Sequence, residues 1–155
     1  MVKYKKNKTK IIFGTLVGAL YILFGIIQFI VGLNLSSEFT DALFIPNDII
    51  GGLILVLIGI IFFIGVKELI SEINDGVAYI YFGIFLALIF VIIYLLIIVA
   101  NAIEAYVIVS DDFSTWTPLD DLKPGLYLGL LPFIGLIVWK SRFTLNRTSK
   151  VKSKR

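Results

Sequence analysis

Of the 155 residues, 59% are hydrophobic and 16% charged, and 14 Lys and Arg against 11 Asp and Glu leave a formal net charge of +3. A soluble domain has about 45–50% apolar and about 25% charged residues, so this composition belongs in a bilayer. The chain has no Cys and no His, which excludes disulfides, thiolate nucleophiles, iron–sulfur clusters, thiol-ligated zinc, bis-histidine haem and imidazole bases. Neither a cofactor nor a metal is expected.

Residues 1–10, MVKYKKNKTK, are basic and lead into an apolar run at 11–33. A basic start followed by apolar sequence suggests a secretory signal. The run is longer than the usual ~7–15 residues, however, and no small-x-small pattern follows, so it reads as a retained first span. The connector 34–48 is acidic, and a second span covers 49–66. In the following KELISEINDG, Glu68 and Glu72 stand four apart on an expected helical extension, and Asn74, Asp75 and Gly76 read as a turn. A third span covers 77–100, and NAIEAYVIV, with few breakers, continues that helix outward.

The second outer connector, 101–124, contains SDDFSTWTPLDDLKPG. Thr117 before Pro118 is expected to start a short helix with Asp120 and Asp121 in its first turn, ended by Lys123-Pro124-Gly125. The fourth apolar stretch, GLYLGLLPFIGLIVW, is short and carries Pro132. It is read as a span over 125–142, with Lys140 and Arg142 snorkelling to lengthen its reach. Trp116, Tyr127 and Trp139 stand near its edges, as an aromatic belt would place them. A basic tail occupies 143–155.

Charge sets the orientation. Of the 14 Lys and Arg, five precede the first span, Lys67 lies between the second and third, and seven follow Trp139; Lys123 is the exception. Basic residues flanking spans favour the cytoplasmic side, so both termini are expected inside. That requires an even number of crossings. The expected architecture is therefore all-α: one domain at 11–142, four transmembrane helices in an antiparallel bundle in the cell membrane.

All 13 glycines lie in or beside the spans. Gly18, Gly25 and Gly32 recur every seven residues and share a face, which Gly14 joins through a GxxxG step. Gly125 and Gly129 form another such step, and Gly83 lies in the third span. Close helix contacts explain these positions, although membrane helices are Gly-rich in general. A faint repeat aligns GALYILFGIIQFI with GLILVLIGIIFFI, matching Gly18 to Gly52 and Gly25 to Gly59; low complexity is the competing explanation.

Ionisable groups at membrane depth mark function, and spans 1, 2 and 4 have none; span 1 offers only Thr15, Tyr21 and Gln28. Asn101 and Glu104, one turn apart, are candidates for proton or cation handling, against the plainer reading of Glu104 as an interfacial acid. In the outer connector, Asp111, Asp112, Trp116, Asp120 and Asp121 are candidates for partner or cation contact, yet the alternating acids and Gly of a calcium loop are missing. An outer cap over the bundle accounts for more of these residues.

The expected role is non-catalytic: a subunit or scaffold packing through Gly-lined faces against other membrane proteins or itself. The alternative is a small oligomeric channel or transporter, which a polar stripe facing a common axis would favour. The basic tail suits anionic headgroups, and nucleic acid is not an expected partner, because no stacking aromatics accompany the charge.

Overall fold

The computed structural model describes residues 2–35, 37–73, 75–109 and 111–139, the first six of them by backbone alone. These residues build an all-helical protein: α1 (Val2–Gly32), α2 (Glu38–Ala42), α3 (Ile49–Ile70), α4 (Gly76–Ile103), α5 (Pro124–Leu128) and α6 (Leu130–Trp139). The expectations for Asn74, Lys140, Arg142 and the tail 143–155 lie outside the described residues. Three apolar helical stretches, Lys8–Gly32, Ile49–Ile70 and Gly76–Ile108, are long and apolar enough to cross a membrane. At about 1.5 Å per residue each exceeds the ~30 Å hydrocarbon layer. The apolar stretch Pro124–Trp139 is shorter, about 24 Å.

Local chemistry sets the helix ends. The Asp48 carboxylate accepts a hydrogen bond from Gly51 N at 2.9 Å and starts α3. At the other end Ile73 N donates to Glu68 O at 3.0 Å and Glu72 N to Leu69 O at 3.3 Å, while Glu72 turns left-handed at φ 60°. This bond pattern closes a helix around a left-handed residue, so Glu72 lies off α3. The expected helical extension therefore reaches Glu68 but not Glu72, which corrects that expectation. Gly76 already belongs to α4, and a Cβ on it would stand 2.6 Å from Gly65 O and Leu69 N; only glycine lets the α3–α4 hairpin close this tightly. Beyond Ile103, α4 widens into a π-helical turn, Glu104–Ile108, which stops at Val109 with φ 55°.

The expected short helix from Thr117 does not form. Residues 118–121 make successive turns, with Asp120 N bonded to Thr117 O at 3.0 Å and Leu122 N to Leu119 O at 3.1 Å. Pro124 opens α5 instead of closing an element, with extended Lys123 as its N-cap. A proline at the first helical position has the right φ and needs no N–H partner there. The α5–α6 break at Gly129 has the opposite cause: Pro132 has no N–H to offer the Leu128 carbonyl, and the next bond runs from Phe133 N to Gly129 O at 3.1 Å.

Helix α1 packs along α3, α3 against α4, and α4 against α5 and α6. The α1–α3 contact rests on two glycine pairs. A Cβ on Gly25 would stand 2.8 Å from Gly52 O and one on Gly52 2.9 Å from Gly25 O; for Gly18 and Gly59 the corresponding distances are 3.2 and 2.8 Å. Residues aligned by the sequence repeat thus meet crosswise, Gly18 with Gly59 and Gly25 with Gly52. The core holds Tyr21, Ile58, Phe62, Ile80 and Ile84, all fully buried. Trp139, expected at a membrane edge, turns inward: it is 6% exposed and packs edge-on against Phe13 at 4.9 Å and Tyr81 at 6.5 Å. Gly135, one turn earlier, leaves the space that the Phe13 ring occupies.

Candidate functional site

The densest polar arrangement among the described residues lies where the 111–123 connector folds back on the end of α4. Asp121 is its centre, 8% exposed. Its Oδ2 accepts hydrogen bonds from Asn101 Nδ2 at 2.6 Å and Trp116 Nε1 at 2.9 Å, and its Oδ1 stands 3.8 Å from Lys123 Nζ. A buried carboxylate is costly unless donors surround it; Asn101 of α4 and Trp116 of the connector supply them, and the Lys123 ammonium at the α5 N-cap adds opposite charge at longer range. Lys123 Nζ also lies 5.8 Å from the centroid of the Tyr94 ring, a cation–π geometry. Trp116 stacks edge-on with Tyr106 at 6.0 Å. One carboxylate thereby ties the 111–123 connector to α4 and α5.

Asp120, its sequence neighbour, points elsewhere. Its Oδ2 accepts from Thr117 N at 2.7 Å and Thr117 Oγ1 at 3.2 Å, so it closes a turn on the exposed surface. Asp111 and Asp112 form a short 3₁₀ turn with Phe113, and both are exposed. The four aspartates of the connector therefore separate into one buried organiser and three surface acids, and no group of three or more acids among the described residues is arranged to hold a metal ion. Asn101 is engaged by Asp121, while Glu104 begins the π-helical turn half-buried.

A second polar node sits at the α3 N-terminus. Gln28, 1% exposed, donates from Nε2 to Asp48 O at 3.4 Å. The Gln28 Oε1 and Tyr21 Oη atoms are buried without a hydrogen-bond partner. Tyr127 Oη reaches across to donate to Leu43 O at 3.3 Å, pinning α5 to the α1–α3 connector.

Every glycine singled out in the sequence faces a neighbouring helix of the same chain. Gly14 meets Ile80 and Val66, Gly32 meets Ile49, Gly83 meets the Phe62 ring, and Gly125 and Gly129 meet Tyr94 and Val91 of α4. The sequence reading did not single out Gly51, Gly65 and Gly135 for packing, although they too are crowded; each stands outside the GxxxG steps and the Gly18–Gly25–Gly32 stripe that drew attention. It also missed Tyr94 and Lys123, because aromatic and basic residues near a span edge are common.

Beside the cap, α4 and the α5–α6 segment enclose an apolar groove of about 430 Å³ between Leu88, Val91 and Leu95 on one side and Leu126, Leu130 and Phe133 on the other.

A family model described as the MJ0565 integral membrane domain matches residues 4–141. The chain belongs to that family. The curated protein "Uncharacterized protein MJ0565" of Methanocaldococcus jannaschii is 33% identical over 119 residues, covering 76% of this chain and 80% of its own length. No solved structure matches. Membership in the MJ0565 integral membrane domain family sets the medium for the geometry above: it is a membrane protein, and bulky apolar side chains such as Ile92, Leu96 and Val107 are exposed on its exterior.

Proposed function

We propose that this protein is a non-catalytic membrane subunit: a four-span antiparallel bundle of the cell membrane with both termini cytoplasmic, built to pack against other membrane proteins or a second copy. The observation that carries the reading is the outward face of α4. Ile92, Leu96, Val99, Ile103 and Tyr106 recur at alternating spacings of four and three, and all are exposed. That is the spacing of a helix-pairing seam; Trp116 touches it only at Tyr106, on the π-helical turn beyond α4, and Ile92, Leu96, Val99 and Ile103 stay exposed among the described residues. The Gly-lined faces are used differently, since they close the bundle itself.

The crosswise glycine pairs support the antiparallel arrangement, and the short α5–α6 segment, flanked by aromatic and basic residues, supports the fourth crossing. The channel alternative draws no comparable support. The buried polar residues of α1 are dispersed: Lys10 lies over the Tyr81 ring, Tyr21 packs in the apolar core with Val17 and Phe62, and Gln28 bonds to Asp48 O at the α3 N-terminus.

Gentle extraction through a tag on the C-terminus, followed by mass determination of what stays bound, tests this reading. A defined complex, lost in a Leu96→Phe, Val99→Phe double variant whose own melting temperature is unchanged, is the expected result. Recovery as a lone monomer under the mildest conditions would overturn it.

A further inference from the structure

The apolar groove between α4 and α5–α6 has a single cation at its outer end. Leu122, which lines the groove, precedes Lys123, and the Lys123 ammonium lies over Tyr94, the neighbour of the groove residue Leu95. We propose that this groove holds one acyl chain of an anionic lipid whose phosphate rests on Lys123. The inference needs α5–α6 to lie in the bilayer, as the four-span reading has it, and does not depend on the partner role.

Three features support a lipid as the occupant. The groove walls are apolar and lie along residues 88–95 of a membrane-crossing helix. Water there would forgo its hydrogen bonds, whereas a hydrocarbon chain fills the space without that cost. At residue 129 glycine lets the two walls meet at Val91, which closes one side of the groove. Lys123 is also available to an outside anion. Asp121 already accepts two short hydrogen bonds from Asn101 and Trp116 and stands 3.8 Å from Lys123, beyond hydrogen-bond length. The lysine side chain keeps 25% of its surface open. It is the only basic residue between Lys67 and Lys140, so no other cation on this side competes for a headgroup.

The test uses the full chain, purified in mild detergent and given equal phosphatidylglycerol and phosphatidylcholine, with bound lipid read by native mass spectrometry. Phosphatidylglycerol should be retained about fivefold over phosphatidylcholine, the factor expected of one surface cation. Lys123→Gln should bring that ratio to about one, and Leu126→Trp, which fills the groove, should lower retention of both lipids. Absence of headgroup preference in the native chain, or its survival in Lys123→Gln, overturns the proposal. A preference that Leu126→Trp leaves untouched assigns Lys123 to phosphate alone and overturns the groove.

A photo-crosslinker in place of Leu95 guards against misfolded variants: a lipid adduct is expected, and an adduct with a second copy or another protein overturns the assignment. The same crosslinker at Ile134, exposed on α6 away from the groove, should also capture lipid. Failure at residue 134 refutes the fourth crossing, whereas failure at residue 95 alone refutes only the groove.

Discussion

Gly25 and Gly52 face each other so closely across α1 and α3 that a methyl group on either would press on the other's carbonyl, at 2.8 and 2.9 Å. The obstacle in both cases is backbone, which cannot swing aside as a side chain can. Gly25→Ala would also meet Val56 N at 2.7 Å. Alanine favours a helix over glycine by up to about 1 kcal/mol, while overpacking costs about 1–3 kcal/mol, so the net should be a loss. For Gly83→Ala the nearest atoms are those of the Phe62 ring, at 3.2–3.3 Å, a side chain at longer distance and not backbone, so the crowding should be smaller and the helix gain should offset more of it. Melting temperatures in one detergent should rank Gly25→Ala well below Gly83→Ala. Equal values would show that the α1–α3 contact is looser than described.

That contrast bears on what a sequence can reveal. Three of the apolar stretches stand out because about 20 apolar residues are needed to cross a bilayer, and the seven-residue glycine stripe stands out because helices repeat on that period. Which glycine meets which depends on helix direction, and the repeat alignment of Gly18 with Gly52 conceals the true partner, Gly59. The candidate site was less legible. Asp120 and Asp121 are chemically identical neighbours, and only the turn at 118–121 aims one at Thr117 and the other into the cap. Pro124 illustrates the same limit: a proline is compatible with ending one helix or starting the next, and the choice follows from the extended backbone of Lys123.

Asp121→Ala should loosen the outer cap far more than Asp120→Ala. The first removes the shared acceptor of Asn101 and Trp116 in a nearly buried place; the second removes an exposed turn bond. Hydrogen bonds to a charged group contribute about 1.5–3 kcal/mol. Iodide quenching reports the change, because Trp116 and Trp139 are the only tryptophans and Trp139 is buried against Phe13. Quenching should rise clearly in Asp121→Ala and stay near the native level in Asp120→Ala. Equal quenching in both variants would remove Asp121 from the centre of the cap.

Val109 and Glu72 are both left-handed, at φ 55° and 60°, a conformation costing an L residue about 1–2 kcal/mol. Val109 is 73% exposed, so Val109→Gly sacrifices little packing. Relief of strain should outweigh the greater freedom that glycine gives the unfolded chain, about 0.4–1 kcal/mol. Glu72→Val should act in the opposite direction, since a β-branched residue tolerates this region poorly. Thermal unfolding should therefore move up by a degree or two for the first and down for the second, and a fall in Val109→Gly would mean that its side chain is held by something beyond this chain.

The four-span arrangement makes the sharpest prediction, because the chain has no cysteine and any introduced thiol is unique. Ser114 and Ser71 are both exposed, at opposite ends of the bundle. In intact cells a membrane-impermeant maleimide should label Ser114→Cys. It should leave Ser71→Cys and the tail variant Ser153→Cys untouched until the membrane is opened. Labelling of Ser153→Cys from outside, with Ser71→Cys protected, would mean that Pro124–Trp139 does not cross and that the chain has three spans. The basic tail makes that outcome unfavourable, since seven Lys and Arg after Trp139 would then lie on the side that flanking cations avoid. The opposing consideration is the ~24 Å reach of the 16-residue stretch, a shortfall of a few ångströms that costs only a fraction of a kcal/mol per ångström of mismatch. Expelling a segment that presents Leu130, Phe133, Ile134, Ile137 and Val138 would cost about 1.5–3 kcal/mol for each side chain exposed to water. The second cost exceeds the first, and the crossing should form.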